Sequence, residues 1–176
     1  MEVLNSKGYK ISEDAIKKGL KDTRWPGRFE VLNEEPLFIT DGAHNPHGMQ
    51  AAVSSLKQLF GDKKLIIITG ILADKDYDAM LDMILPLAGK VLCVSPENAR
   101  ALSPEKLLEE VDSKMSHLNE ESCKVETSCF NDVESAVKEA FRTAEKTDVI
   151  CCIGSLYLIS DIKDLINSGR LKLQEL

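Results

Sequence analysis

Residues able to do chemistry gather in one short stretch, from Leu37 through Thr40, Asp41, Gly42, Ala43, His44, Asn45 and Pro46 to Gln50. Asp41 ends an apolar run. It is either a turn aspartate accepting backbone N–H groups or a carboxylate facing ligand hydroxyls or a metal-bound water. His44 stands at a predicted helix N-terminus, a place that suits a neutral, hydrogen-bonding imidazole. Gly42 and Ala43 are small enough to let another molecule approach the backbone. Arg28 follows Pro26-Gly27, so a tight turn displays it. Its guanidinium either grips phosphate bidentately or forms a surface salt bridge. Lys75 and Arg100, each after a strand, are expected to add positive charge to the same crevice edge. Gly154-Ser155-Leu156-Tyr157 offers a hydroxyl and free N–H groups after the final strand, although Ser155 also serves as a helix cap. His47 reads as solvated, and His117 carries no signal. The chain has no G-x-S-x-G, no G-x-x-x-x-G-K-[ST] and no G-x-G-x-x-G. If it handles a nucleotide, the main phosphate cradle comes from elsewhere.

The elements that must position these residues follow a regular pattern. Ser12 caps a short amphipathic helix over 11–23, broken by Trp25-Pro26-Gly27. Phe29–Leu32 and Leu37–Thr40 form a hairpin around the turn Asn33–Pro36. Asn45 as N-cap and Pro46 at the first helical position open a helix to Phe60, with Met49, Ala52, Val53, Leu56 and Phe60 at helical spacing. Lys64–Thr69 is a continuous β-branched run, as in a strand buried on both faces. A helix through Tyr77, Met80, Leu81, Ile84 and Leu87 follows, then a strand over Lys90–Val94. Ser103-Pro104 opens the next helix through Leu107, Leu108 and Val111, while 113–123 reads as a polar loop. Lys124–Thr127 is the next strand and Asp132–Ala144 the next helix. Asp148–Ile153 and Leu156–Asn167 complete the alternation. This predicts an α/β, Rossmann-like three-layer domain whose mainly parallel sheet carries an antiparallel edge hairpin.

Bulk properties narrow the partners. A chain of 176 residues, 43% hydrophobic and 29% charged, can build a single core. Its formal net charge of −7 argues against nucleic acid and anionic membranes as partners, but not against a small anion met by local donors. With no 18-residue apolar run and no signal-peptide core at Met1, a cytosolic (cytoplasmic) protein is expected. Five cysteines (Cys93, Cys123, Cys129, Cys151 and Cys152) include no C-x-x-C pair. Cys93, Cys151 and Cys152 lie in apolar strand-like runs and read as reduced core thiols, and no metal site is expected.

The run Trp25-Pro-Gly-Arg-Phe-Glu30, followed by Asp41-Gly-Ala-His-Asn-Pro46, resembles the folylpolyglutamate synthase/dihydrofolate synthase family of the Mur ligase superfamily. Gly70-Ile-Leu-Ala-Asp-Lys-Asp76, Asn98-Ala-Arg-Ala-Leu-Ser-Pro104 and Gly154-Ser-Leu-Tyr157 agree, in the family's order, over roughly residues 12–169. The likeness is to the C-terminal domain only. It implies that residues 1–23 are a linker or the end of a preceding central domain, and that 24–176 form the C-terminal domain. It further implies a missing N-terminal ATPase domain with the P-loop, and a central region with Mg²⁺ ligands. In this family ATP phosphorylates a folate or dihydropteroate carboxylate, and the amino group of L-glutamate attacks the acyl phosphate. By resemblance Arg28 contacts the ATP phosphates and Asp41 the nucleotide, through its ribose. His44 is catalytic, and Ser155 and Tyr157 bind the incoming amino acid. Such a fragment is expected to be inactive alone. Another Mur-type amino-acid ligase and a stand-alone Rossmann-like binding module remain the alternatives.

Overall fold

A computed structural model describes residues 2–118 and 125–176. Six strands form one sheet: β1 (Glu30–Glu34), β2 (Leu37–Asp41), β3 (Leu65–Thr69), β4 (Ala88–Cys93), β5 (Glu126–Cys129) and β6 (Val149–Ile153). Their order is β1-β2-β6-β3-β4-β5. Only β1 runs antiparallel, in a hairpin with β2 at the sheet edge. The three-layer, mainly parallel sheet with an edge hairpin is therefore the observed architecture.

The central strands show why their sequences are apolar throughout. Every residue of β3 and β6 is buried, because helices cover both faces of a parallel sheet. On one face lie α3 (Pro46–Phe60), α4 (Tyr77–Ile84) and α5 (Pro104–Leu118), whose Met49, Leu81 and Leu107 pack against Ile67 and Cys151. On the other lie α6 (Val133–Thr143) and α7 (Leu156–Asn167), whose Val137 and Leu158 meet Ile68 and Cys152. Adjacent strand residues thus serve opposite cores. Each fully buried aliphatic side chain of this kind contributes about 1.5–3 kcal/mol. Phe38 of β2 meets Phe141 of α6 edge to face, with ring centroids 5.6 Å apart. Cys93, Cys151 and Cys152 are core thiols. Burial first of all pushes Cys93 and Cys151 up to about 12, and Cys152 well above its ordinary value.

Caps set the helix starts. Asn45 Oδ1 accepts Gly48 N–H at 2.8 Å, with Pro46 at the first position of α3. Asp132 Oδ1 accepts Ser135 N–H at 2.7 Å at the head of α6. α2 (Glu13–Asp22) has Ser12 as its N-cap and buries no residue. A five-residue helix, α1 (Glu2–Ser6), precedes it and was not expected.

Three expectations need correcting. α5 continues to Leu118, so 113–118 is helix rather than loop, because Leu107, Val111 and Met115 form one buried stripe at four-residue spacing. α4 ends at Ile84, and Leu85–Leu87 form a 3₁₀ turn, since Pro86 lacks the N–H that an α-helix needs. β5 spans Glu126–Cys129 rather than starting at Lys124. Cys123, Lys124 and the rest of the 119–124 stretch lie outside the described residues.

Candidate functional site

The sheet order places the site. β2 lies next to β6, yet β2 runs into α3 on one face while β6 runs into α7 on the other. Adjacent parallel strands whose chains part to opposite faces leave a crevice at their carboxyl ends. The turns after β2 and β6 meet there, and the Arg28 turn joins them.

The Arg28 turn is held by its neighbours. Gly27 (φ +72°) and Phe29 (φ +44°) are both left-handed, a cost for a non-glycine residue such as Phe29. Three acceptors maintain it. Asp41 Oδ2 accepts Phe29 N–H at 2.8 Å. Glu30 Oε2 accepts Gly27 N–H at 2.6 Å. The Gly27 carbonyl accepts Gly42 N–H at 2.8 Å. Gly42 itself has no room for a side chain, because a Cβ there would collide with Leu156 of α7. All three turns are thereby packed into one unit. Arg28 stays exposed, and among the described residues no carboxylate pairs with its guanidinium.

Asp41 is 8% exposed and uses both oxygens on backbone. Oδ2 takes Phe29 N–H, and Oδ1 takes Ala43 N–H at 2.8 Å. The turn reading of this aspartate is thus structurally real. Each oxygen still keeps a lone pair for a second donor. His44 Nδ1 lies 2.8 Å from the Gly42 carbonyl. A carbonyl only accepts, so Nδ1 carries the proton, and a neutral ring presents Nε2 as a free acceptor. Arg28, Asp41 and His44 line one cavity of about 310 Å³, with Asn45 and Gly48 from the start of α3 and Ser55 farther along it.

Ser155 and Tyr157 stand beside this cavity rather than in its wall. Ser155 is 1% exposed, and its Oγ accepts Tyr157 N–H at 3.1 Å as the cap of α7. Tyr157 is 43% exposed. Beneath them, Thr69 Oγ1 is buried with no hydrogen-bond partner among the described residues.

Lys75 and Arg100 do not bring charge to the cavity, contrary to expectation. Arg100 bonds Asp74 at 2.9 Å, and Lys75 lies 3.7 Å from the same carboxylate. The loops that carry them are stitched by Ala73 N–H to the Arg100 carbonyl at 2.7 Å. Sequence reasoning in turn missed Glu30 and its partner Lys163, whose Nζ lies 2.7 Å from Glu30 Oε2. The glutamate directly follows the exposed turn, but nothing local points to a lysine on α7.

With this geometry in hand, comparison with known proteins is specific. The family described as Mur ligase, glutamate ligase domain, matches residues 27–156, from the Arg28 turn to the head of α7. The folylpolyglutamate synthase of Lacticaseibacillus casei is 34% identical over 161 residues, covering 91% of this chain and 34% of that protein. The solved structure of Escherichia coli FolC in complex with DHPP and ADP is 27% identical with a TM-score of 0.78, over 96% of this chain and 37% of that one. A crystal structure of a bifunctional folylpolyglutamate synthase/dihydrofolate synthase with Mn, AMPPNP and L-glutamate bound is 30% identical, TM-score 0.75, over 97% and 38%. The chain spans a little over a third of the length of these relatives. Matched over most of its own length, it belongs to the Mur ligase family, as the glutamate ligase domain.

Proposed function

We propose that this chain is the closing C-terminal domain of an ATP-dependent ligase that joins L-glutamate to a folate or dihydropteroate carboxylate. In this reading residues 1–23 link it to a preceding central domain, residues 24–176 form the domain itself, and the full enzyme works in the cytosol. No described helix is long and apolar enough to cross a membrane. The N-terminal ATPase domain of the same enzyme is the main partner. It holds ATP, and with the central region it holds Mg²⁺. Among the described residues of this chain no three metal-ligating side chains come together, so the metal is assigned to none of them.

The observation that carries the reading is Arg28: a guanidinium with no carboxylate partner among the described residues, on a braced, left-handed turn, sharing a cavity with Asp41 and His44. A planar fork of donors fits phosphate oxygens. The residues present therefore suit a nucleotide approached from the missing domain. The relatives support it, since one holds ADP and DHPP and another AMPPNP, Mn and L-glutamate.

When bound, ATP supplies activation of the carboxylate as an acyl phosphate, with ADP as leaving group. The residues of this chain then have definite tasks. Arg28 offsets negative charge on the transferring phosphate, the kind of preorganised stabilisation that strengthens as charge develops. Asp41 offers its remaining lone pairs to ribose hydroxyls. His44 presents Nε2 to the amino group of glutamate, which loses a proton as the amide forms. Ser155 and Tyr157 border the same turn and bind the amino acid. Closure of this domain brings these groups onto the reacting centre and excludes water.

The test is made in the complete ligase, this chain joined to its ATPase and central domains. Turnover is followed as ADP released with dihydropteroate or tetrahydrofolate and L-glutamate. The isolated chain is expected to be inactive and to bind ATP poorly. Arg28→Ala in the complete enzyme is expected to cut turnover about tenfold or more. Unchanged turnover would overturn the reading, and activity with muramyl precursors instead would move it to another Mur-type ligase.

A further inference from the structure

Arg28 has an acidic neighbour two residues away, and the two do not pair. The Glu30 carboxylate instead meets Lys163 of α7 at 2.7 Å and accepts Gly27 N–H at 2.6 Å. Both side chains are largely withdrawn from water, 28% exposed for Lys163 and 29% for Glu30. Pairs so sheltered are screened less than open surface ones. Ile159, one turn earlier on α7, backs the same turn, with Cγ2 3.3 Å from where a Gly27 Cβ would stand. Lys163 and Ile159 thus clamp the turn from the helix side, while Asp41 clamps it from the β2 side.

We propose that Glu30, neutralised by Lys163, is the positioning residue for Arg28. It fixes the turn through the Gly27 N–H, and Lys163 keeps its carboxylate from capturing the guanidinium. Two consequences follow from elementary electrostatics. A free carboxylate two residues from Arg28 competes with phosphate for its guanidinium. Removing Lys163 therefore harms Arg28 more than removing Glu30 and Lys163 together. The charge balance of Glu30 agrees with this geometry: burial raises its carboxyl, but the bond to Lys163, the Gly27 N–H and the Lys163 charge outweigh burial and hold it below 4.5.

This inference rests on the ligase reading, and its test separates the two. In the complete ligase, kcat/KM for ATP and KM for glutamate are measured alongside the melting temperature. Lys163→Met is expected to lower kcat/KM for ATP about tenfold, leaving KM for glutamate within about twofold. Glu30→Gln/Lys163→Met is expected to regain most of that loss, although it removes more native contacts. Glu30→Ala is expected to lose more than Glu30→Gln, whose amide oxygen still accepts from Gly27. A purely structural pair would instead move kcat/KM for ATP only in step with the melting temperature across these variants, and such a parallel would overturn the proposal. If Lys163→Met does not fold, equal losses for Glu30→Ala and Glu30→Gln overturn it. Should Arg28→Ala leave turnover unchanged, the ligase reading fails first. If Arg28→Ala is impaired while Lys163→Met and Glu30→Ala match the parent enzyme, only this inference fails.

Discussion

Two cavities on this domain differ in which charges they leave free. The larger, about 540 Å³, lies between α6, α7 and the segment after β4, and it is lined by Glu97, Asp132, Glu134, Asp161, Asp164 and Arg170. Its polar groups mostly satisfy one another. Arg170 bonds Glu134 at 2.7 Å, Asp132 caps α6, and Asp161 accepts Glu97 N–H at 2.9 Å. The smaller, about 310 Å³, holds a cation with no partner among the described residues, on a left-handed turn with a non-glycine residue in it. The proposed reading places the site in the smaller cavity, where backbone strain maintained by several hydrogen bonds lies next to an uncompensated charge.

The sharpest way to break this comparison is to remove the arginine from each cavity in the complete ligase. Arg28→Ala is expected to cost about 1.5–3 kcal/mol of transition-state stabilisation, the range for hydrogen bonds to charged groups, read from kcat/KM for ATP. Arg170→Ala, an exposed ion pair, is expected to change it less than about twofold. Equal losses would erase the distinction.

The next effect is on folding. Gly154 ends β6 with φ +128°, and a Cβ there would lie 2.9 Å from Thr69 Oγ1 and 3.0 Å from the Gly70 carbonyl. Gly154→Ala is expected to destabilise the domain by roughly 1–3 kcal/mol, measured by urea denaturation of this chain. On the other side, Asp132→Ala removes the cap of α6 and should cost about 1 kcal/mol. Because it serves only the larger cavity, kcat/KM for ATP should stay within about twofold of the parent value.

The smallest expected effect is in pH dependence, and it has opposite signs in the two regions. Glu30, beside the site, is held below 4.5. It stabilises the fold above that value, and the contribution is lost as pH falls through its lowered folded value. Asp161, in the larger cavity, is raised above 3.8, first by burial and then by the charges of Glu97 and Asp164, against the Glu97 N–H. As a charged group it weakens the fold at neutral pH, and the penalty fades as pH falls through its raised value. Melting curves from pH 7 to 3 check both. Glu30→Gln should lower the melting temperature at pH 7 and converge with the parent near pH 3. Asp161→Asn should raise it at pH 7, provided its side chain keeps the Glu97 N–H bond.

Much of this was legible beforehand where the cause is local. Asn45-Pro46 marks the start of α3, Ser155 the start of α7, and the observed span Leu156–Asn167 is the expected one. The run Lys64–Thr69 announces a strand buried on both faces, and Leu65–Thr69 is one. The α5 extension was legible too, since Met115 continues the stripe of Leu107 and Val111, but its polar neighbours masked the period. The candidate site was legible as residues but not as an arrangement. Asp41 looked like a ligand or a turn aspartate, and in the fold it braces the turn that displays Arg28. Arg100 was expected to add charge to the crevice edge, and in the fold Asp74 takes it.

The sequence by itself determined the alternation of strands and helices, their caps, and the five short runs that resemble one ligase family. These depend on side-chain periodicity and on hydrogen bonds within a few residues, which a linear reading contains. Only the tertiary structure decided that β6 inserts between β2 and β3 and opens the crevice, that Lys163 takes Glu30, and that Arg28 is left free among the described residues. Those outcomes join residues far apart in the chain, and which charge pairs with which depends on the distance left after the core has packed.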